Sequence, residues 1–136
     1  DTAFVDDIQL FVWKKMIMKC TMASICAVTD RTIKDALEYP PTGEIADACF
    51  KEALAVAKAM GYDIGEDYLK QARGYLQKVG VHKDSMCVDI ANQTPTEIDF
   101  LGAKIVEYAR AKGIETPVYM TMTNLVKTIE RNYLKK

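Results

Sequence analysis

Apolar residues recur along nearly the whole chain at steps of three and four, the period of a helix that buries one face. In the first segment, about residues 4–28, Phe4, Ile8, Phe11, Val12, Met16, Met18, Met22, Ile25 and Cys26 form a broad apolar surface. Being apolar on more than one side, this segment is expected to be central. Tyr39-Pro40-Pro41 breaks the chain, because a residue before proline avoids the helical region. A second helix is expected from Thr42 or Gly43, with Ile45, Cys49, Ala53, Val56 and Met60 inward and Gly61 as its C-cap. The third, about residues 65–79, places Tyr68, Leu69, Ala72, Tyr75, Leu76 and Val79 on one stripe and stops at Gly80. A short fourth follows Asp84 as N-cap, with Met86, Cys87 and Ile90 on its inner side. Thr94 opens the fifth, which turns Ile98, Leu101, Ile105 and Tyr108 inward and closes at Gly113. The sixth takes Thr116 as N-cap and Pro117 as its first residue, with Val118, Met122, Leu125, Val126, Ile129 and Tyr133 as its stripe. No repeat, low-complexity segment or useful alternating strand pattern intervenes. The pattern predicts an all-α fold of about six helices in one compact domain, with a long central first helix.

Composition narrows the function classes. The 136 residues suit one domain, and 49% hydrophobic content is ordinary for a globular protein. Lysine and arginine total 18 against 19 acidic residues, so the chain lacks the basic field that nucleic acid or an anionic membrane needs in a main partner. Lys135-Lys136 is too short to alter this. The cysteines Cys20, Cys26, Cys49 and Cys87 include no C-x-x-C, and His82 is the sole histidine. No metal site is expected, and the thiols read as reduced and mostly buried. Asp1, Asp6 and Asp7 stand where a secretory leader would be basic, and no apolar run approaches the ~20 residues of a membrane span. The reading is cytoplasmic. A start at Asp1 without an initiator Met is what a piece of a longer enzyme would show.

Three places could carry chemistry. Lys15 and Lys19 are four apart, so a helix puts both on one face. If enclosed, two such ammonium groups repel, and the lysine with the lowered pKa becomes a general acid for a carbonyl oxygen. The plain alternative is a pair of solvated lysines snorkelling from an amphipathic helix. Thr94-Pro95-Thr96-Glu97 fits a capping box with Thr94 as N-cap and Glu97 at N3, which explains the glutamate without catalysis, although a capping carboxylate at a cleft mouth can still meet a substrate. Ser85, just after the cap Asp84, could bind a carboxylate through its hydroxyl or be an ordinary surface serine. No Ser-His-Asp or Cys-His arrangement emerges from the spacing.

At these places the chain resembles the C-terminal domain of the 2-dehydropantoate 2-reductase (ketopantoate reductase) family. Trp13-Lys14-Lys15 matches the family's aromatic-basic-Lys helix motif, and Ser85-Met86 its serine followed by Met. Thr96-Glu97-Ile98-Asp99 matches its Thr-Glu-Ile-Asp run, and Gly113 with Pro117 its Gly-x-x-x-Pro. The similarity runs from about residue 10 to 130. It implies an NADPH-dependent reduction of a 2-keto acid to a 2-hydroxy acid, in the family 2-dehydropantoate to pantoate on the route to pantothenate. By the same resemblance Lys15 donates the proton to the keto oxygen, Glu97 helps to hold the substrate hydroxyl and the lysine, and Ser85 binds the substrate carboxylate. A hydride acceptor becomes an alkoxide, which a nearby ammonium stabilises and protonates.

The chain departs from the family where asparagines stand four and eight residues after the catalytic lysine; here those positions are Lys19 and Ala23. The family's Asn-Gly pair after the Thr-Glu-Ile-Asp run reads Leu101-Gly102. Lys19 adds a positive charge at the substrate-binding positions, which suits a more anionic 2-keto acid than ketopantoate; a member that has lost activity is the other outcome. No G-x-G-x-x-G follows a strand in this sequence. Residues 1–136 are therefore expected to be the substrate-side half of a cleft. A Rossmann domain before Asp1 would hold most of the NADPH, and the isolated residues would be inactive. Two rivals remain: a related dehydrogenase domain with another 2-keto acid, and a helical interaction module with no chemistry. A cleft wall left uncovered would favour a homodimer of the isolated chain.

Overall fold

Residues 20–27 are all buried, so the middle of the first helix has no solvent face. In the computed structural model, which describes the backbone of residues 2–134 and the side chains of residues 8–134, this helix is the axis of the domain. Helix α1 (Thr2–Thr29) packs against α2 (Ile33–Glu38), α3 (Pro40–Ala59), α5 (Ser85–Ala91), α6 (Gly102–Ala111) and α7 (Pro117–Leu134). Helix α4 (Tyr68–Val79) lies on α2, and a 3-10 turn, Ile98–Phe100, precedes α6. The described residues contain no strand, and the fold is all-α as the periodicity predicts. No helix among them is long and apolar enough to cross a membrane.

Small residues let the helices approach closely. Ala46, Cys49, Ala53 and Ala57 line the inner face of α3, and Phe50, Ile17, Ile25 and Met22 fill the space between α3 and α1. A second apolar cluster, Ala23, Ala27, Met86, Ile98 and Val126, seats α5, the 3-10 turn and α7 on the C-terminal half of α1. Glu52 of α3 reaches across to α7, where its carboxylate accepts the N–H groups of Val118 (3.1 Å) and Tyr119 (2.8 Å). It thereby satisfies donors that the first turn of a helix leaves open. All four cysteines are free and buried, in agreement with the reading of reduced thiols.

Several boundaries differ from the pattern. Helix α3 starts at Pro40, not at Thr42 or Gly43, because both prolines occupy its first turn, where a missing N–H costs nothing. The six-residue α2, capped by the Thr32 hydroxyl accepting from Asp35 N–H, is too short to show a period and brings the helices to seven among the described residues. Helix α4 begins at Tyr68, three residues later than expected. Leu125 of α7 and Tyr75 and Val79 of α4, read as stripe residues, are exposed; α4 sits at the periphery, and only its Tyr68, Ala72 and Leu76 are buried. The ends of α3 before Gly61 and of α6 before Gly113 agree with the pattern. The side chains of Asp1, Phe4, Asp6 and Asp7, and Lys135-Lys136, lie outside the described residues.

Candidate functional site

The site begins with an aromatic anchor. Trp13 is buried between Tyr62 and Tyr108, each ring 5.7 Å away, and the Tyr68 hydroxyl donates to the carbonyl of Lys14. With α1 held there, Lys15 and Lys19 emerge on its outer side, both exposed. They line a groove of about 290 Å³ with Met18 and Met22 of α1, Ile33 of α2, Leu76 of α4 and Asp84. The larger cleft of about 600 Å³, lined by Thr29, Arg31, Asp35, Glu38, Tyr39 and Thr42, holds none of the residues singled out above.

The two lysines have different surroundings. Lys15 Nζ sits 5.0 Å from the centroid of the Phe11 ring, one turn back, a cation–π contact. Lys19 Nζ lies 3.7 Å from Glu97 Oε2, with the two side chains 53% and 63% exposed. A pair that open to water contributes about 0–1 kcal/mol and is readily exchanged for another partner. Among the described residues the Glu97 carboxylate is within ion-pair distance of Lys19 and not of Lys15. Neither lysine is enclosed by this chain alone.

The capping box proposed for Thr94 and Glu97 does not form. Glu97 precedes a 3-10 turn and makes no side-chain capping bond, and α6 begins only at Gly102. The reason is Glu130 of α7, a buried carboxylate that accepts both the Thr96 N–H (2.7 Å) and the Thr96 hydroxyl (2.5 Å). Thr96 Oγ1 in turn accepts the Ile98 N–H at 3.3 Å. The Thr94 hydroxyl donates to the carbonyl of Asp89, and the Tyr133 hydroxyl donates to the carbonyl of Thr94. The segment is tied into a turn by tertiary partners, and Glu97 projects from it to Lys19. Gly102 answers to space: a Cβ there would stand 2.7 Å from Thr123 Oγ1 and 3.3 Å from Ser24 Oγ.

Ser85 is the first residue of α5 and is exposed, and Asp84 caps the helix as read, accepting the Met86 N–H at 2.9 Å. What the sequence reasoning missed is Asp30, in the left-handed region just after α1. Its carboxylate takes the Lys83 ammonium (2.8 Å) and the Cys87 thiol (3.2 Å), tying the start of α5 to the end of α1. The Lys83 hydrogen bond holds the Asp30 carboxyl below its ordinary range. Burial pushes the thiols of Cys20, Cys26 and Cys49 up to about 12, and burial with the Asp30 hydrogen bond pushes Cys87 to about 11. None is poised as a thiolate nucleophile at neutral pH.

The structure thus brings Lys15, Lys19 and Asp84 to one groove and Glu97 to Lys19, with Ser85 following Asp84 in the chain. Ala23 does not join them. It is fully buried among Met86, Ile98 and Val126, so no substrate-binding group is presented from that position. Restoring the family residue there, Ala23→Asn, should cost about 1–3 kcal/mol through overpacking and burial of an amide. Denaturant unfolding measures this, and an unchanged midpoint would mean that the amide finds a polar partner in that cluster. With no strand leading into a glycine-rich turn, the described residues build no dinucleotide cradle.

Comparison with known proteins adds the family. Residues 7–130 match the family described as ketopantoate reductase PanE/ApbA C terminal. The 2-dehydropantoate 2-reductase of Halobacterium salinarum is 28% identical over 124 residues, 91% of this chain and 41% of its own length. The PanE/ApbA family ketopantoate reductase from Ralstonia eutropha has a crystal structure similar at a TM-score of 0.83 and 25% identity, covering 90% of this chain and 41% of that one. D-mandelate dehydrogenase, in its ternary structure with NADH and anilino(oxo)acetate, shares the fold at a TM-score of 0.83 and 22% identity, covering 95% of this chain and 55% of that one. The chain spans about two fifths of the length of the curated relatives it matches.

Proposed function

Because the chain belongs to the ketopantoate reductase C-terminal family, we propose that it forms the substrate-side wall of an NADPH-dependent 2-keto acid reductase. The observation that carries this reading is a groove edged by Lys15 and Lys19, with Glu97 held against Lys19. A reduced nicotinamide bound by a preceding Rossmann domain would supply the hydride. Reduction leaves negative charge on the keto oxygen. Lys15, which no carboxylate of the described residues engages, stabilises that charge and gives up its proton to the oxygen. Glu97 accepts from the new hydroxyl while keeping Lys19 oriented, and the Lys19 ammonium and the Ser85 hydroxyl receive the substrate carboxylate. The weakness of the exposed Lys19–Glu97 pair suits this role, since a substrate can displace it at small cost.

Substrate choice follows from Lys19. An ammonium in place of the family's amide favours a substrate with a second negative charge, and buried Ala23 withdraws the other family contact. The same fold in D-mandelate dehydrogenase supports the view that this kind of domain serves acids other than ketopantoate.

The test is reduced-nicotinamide oxidation by the full-length protein with a panel of 2-keto acids that includes ketopantoate and a dicarboxylic member. Turnover is expected, with kcat/KM higher for the dicarboxylic acid, and Lys19→Asn should move the preference back toward ketopantoate. No turnover of any acid by protein that binds NADPH would sink the reading.

A further inference from the structure

We propose that Glu130, near the end of α7, is a positioning residue for the candidate site and that its carboxylate sets the place of Glu97. The inference rests on the reading of Glu97 as a site residue. Within its loop Glu97 is held only through its carbonyl, which accepts the Phe100 N–H at 2.9 Å; its side chain makes no capping contact there and is 63% exposed. Where it stands is decided by its neighbours in the chain. Ile98, on one side, is buried in the second apolar cluster. Thr96, on the other, is held by both its N–H and its hydroxyl on the Glu130 carboxylate, 34 positions away.

Glu130 is only 5% exposed, and a carboxylate is costly to bury unless it receives strong donors; charge-assisted bonds of this kind are short and directional. Thr96 therefore cannot drift without losing two bonds to that carboxylate. The same face of α7 reinforces the grip. Lys127, three residues before, lies 3.7 Å from Asp99, and Tyr133, three residues after, donates to the carbonyl of Thr94 at 2.7 Å. The three contacts hold the 94–99 segment at its start, middle and end. The middle contact, made on a buried residue, is the one that water and salt loosen least.

The experiment is a double-mutant cycle on turnover in the full-length protein: wild type, Glu97→Ala, Glu130→Gln and the double variant. The Gln variant keeps an oxygen for the Thr96 N–H but loses the charge. Its kcat should fall at least about 10-fold, since ångström-scale displacement of a working group costs up to about 10²-fold. KM for the reduced nicotinamide should hold. In the Glu97→Ala background the same substitution should have no further effect. An equal loss in both backgrounds, or no loss in Glu130→Gln, overturns the proposal. Should the Gln variant fold poorly, Thr96→Val removes the hydroxyl bond alone, and its kcat should fall while Thr96→Ser retains wild-type turnover. If Glu97→Ala itself leaves turnover intact, the assignment of Glu97 to the site fails. The clamp is then read separately, from faster amide exchange of residues 94–99 in Glu130→Gln, and unchanged exchange would remove it too.

Discussion

Lys15→Ala in the full-length protein lowers kcat for the preferred 2-keto acid by about 10²- to 10⁴-fold, the range lost with a positioned proton donor. Its KM changes far less. The separation is built into the structure. Lys15 stands on the solvent side of α1 and no carboxylate of the described residues engages it, so its removal breaks a single exposed cation–π contact with Phe11. Such a contact contributes about 0.5–1 kcal/mol, and alanine is the better helix former, so the melting temperature should hardly move. A loss of turnover can then be assigned to chemistry and not to folding. Lys19→Ala is the control: one turn further along the same face, it should raise KM for the keto acid more than it lowers kcat. Reversal of the two phenotypes would transfer the proton-donor role to the lysine that Glu97 contacts, and two silent variants would remove the reductase mechanism from this groove.

Phe50→Ala destabilises the domain by about 3–5 kcal/mol, a large part of the ~5–15 kcal/mol that holds a typical domain together. Phe50 is fully buried on α3 where that helix meets α1, and its ring stands edge-on to Tyr68 at 6.3 Å. Its inward neighbours on α3 are Ala46, Cys49 and Ala53, too small to close the space a benzyl group leaves. The void therefore persists, and its lining loses contact energy as well as hydrophobic burial. Denaturant unfolding should show a lower midpoint with a similar slope. Phe50→Leu, which keeps most of the volume, should cost less than about 1.5 kcal/mol. A loss below about 1 kcal/mol in Phe50→Ala would contradict the close α1–α3 packing described above.

The two predictions mark different levels of what can be read from one chain. That the first helix is central was legible, because its apolar residues surround the axis, and residues 20–27 are buried on all sides as that requires, while Ile8, Phe11 and Val12 of the same reading are exposed. The Asp84 cap and the Gly113–Pro117 transition were legible as well, since a cap and a helix start are made by residues adjacent in the chain. Lys15 and Lys19 could be placed on one face by spacing alone. The capping box could not survive the same reasoning. Its local pattern was sound, yet Glu130 offered Thr96 a better pair of bonds than the start of a helix would.

By itself, then, the sequence determined the all-α class, the axis helix, the buried thiols, the family and the shared face of the two lysines. These follow from periodicity, from adjacent residues or from motifs, all of which are local. Only the tertiary structure decided that Glu97 meets Lys19, that Glu52 caps α7, that Asp30 anchors α5 and that Ala23 is sealed from the groove. Each of those links joins residues on elements far apart in the chain, where the period of a helix says which face is buried and nothing about what it is buried against.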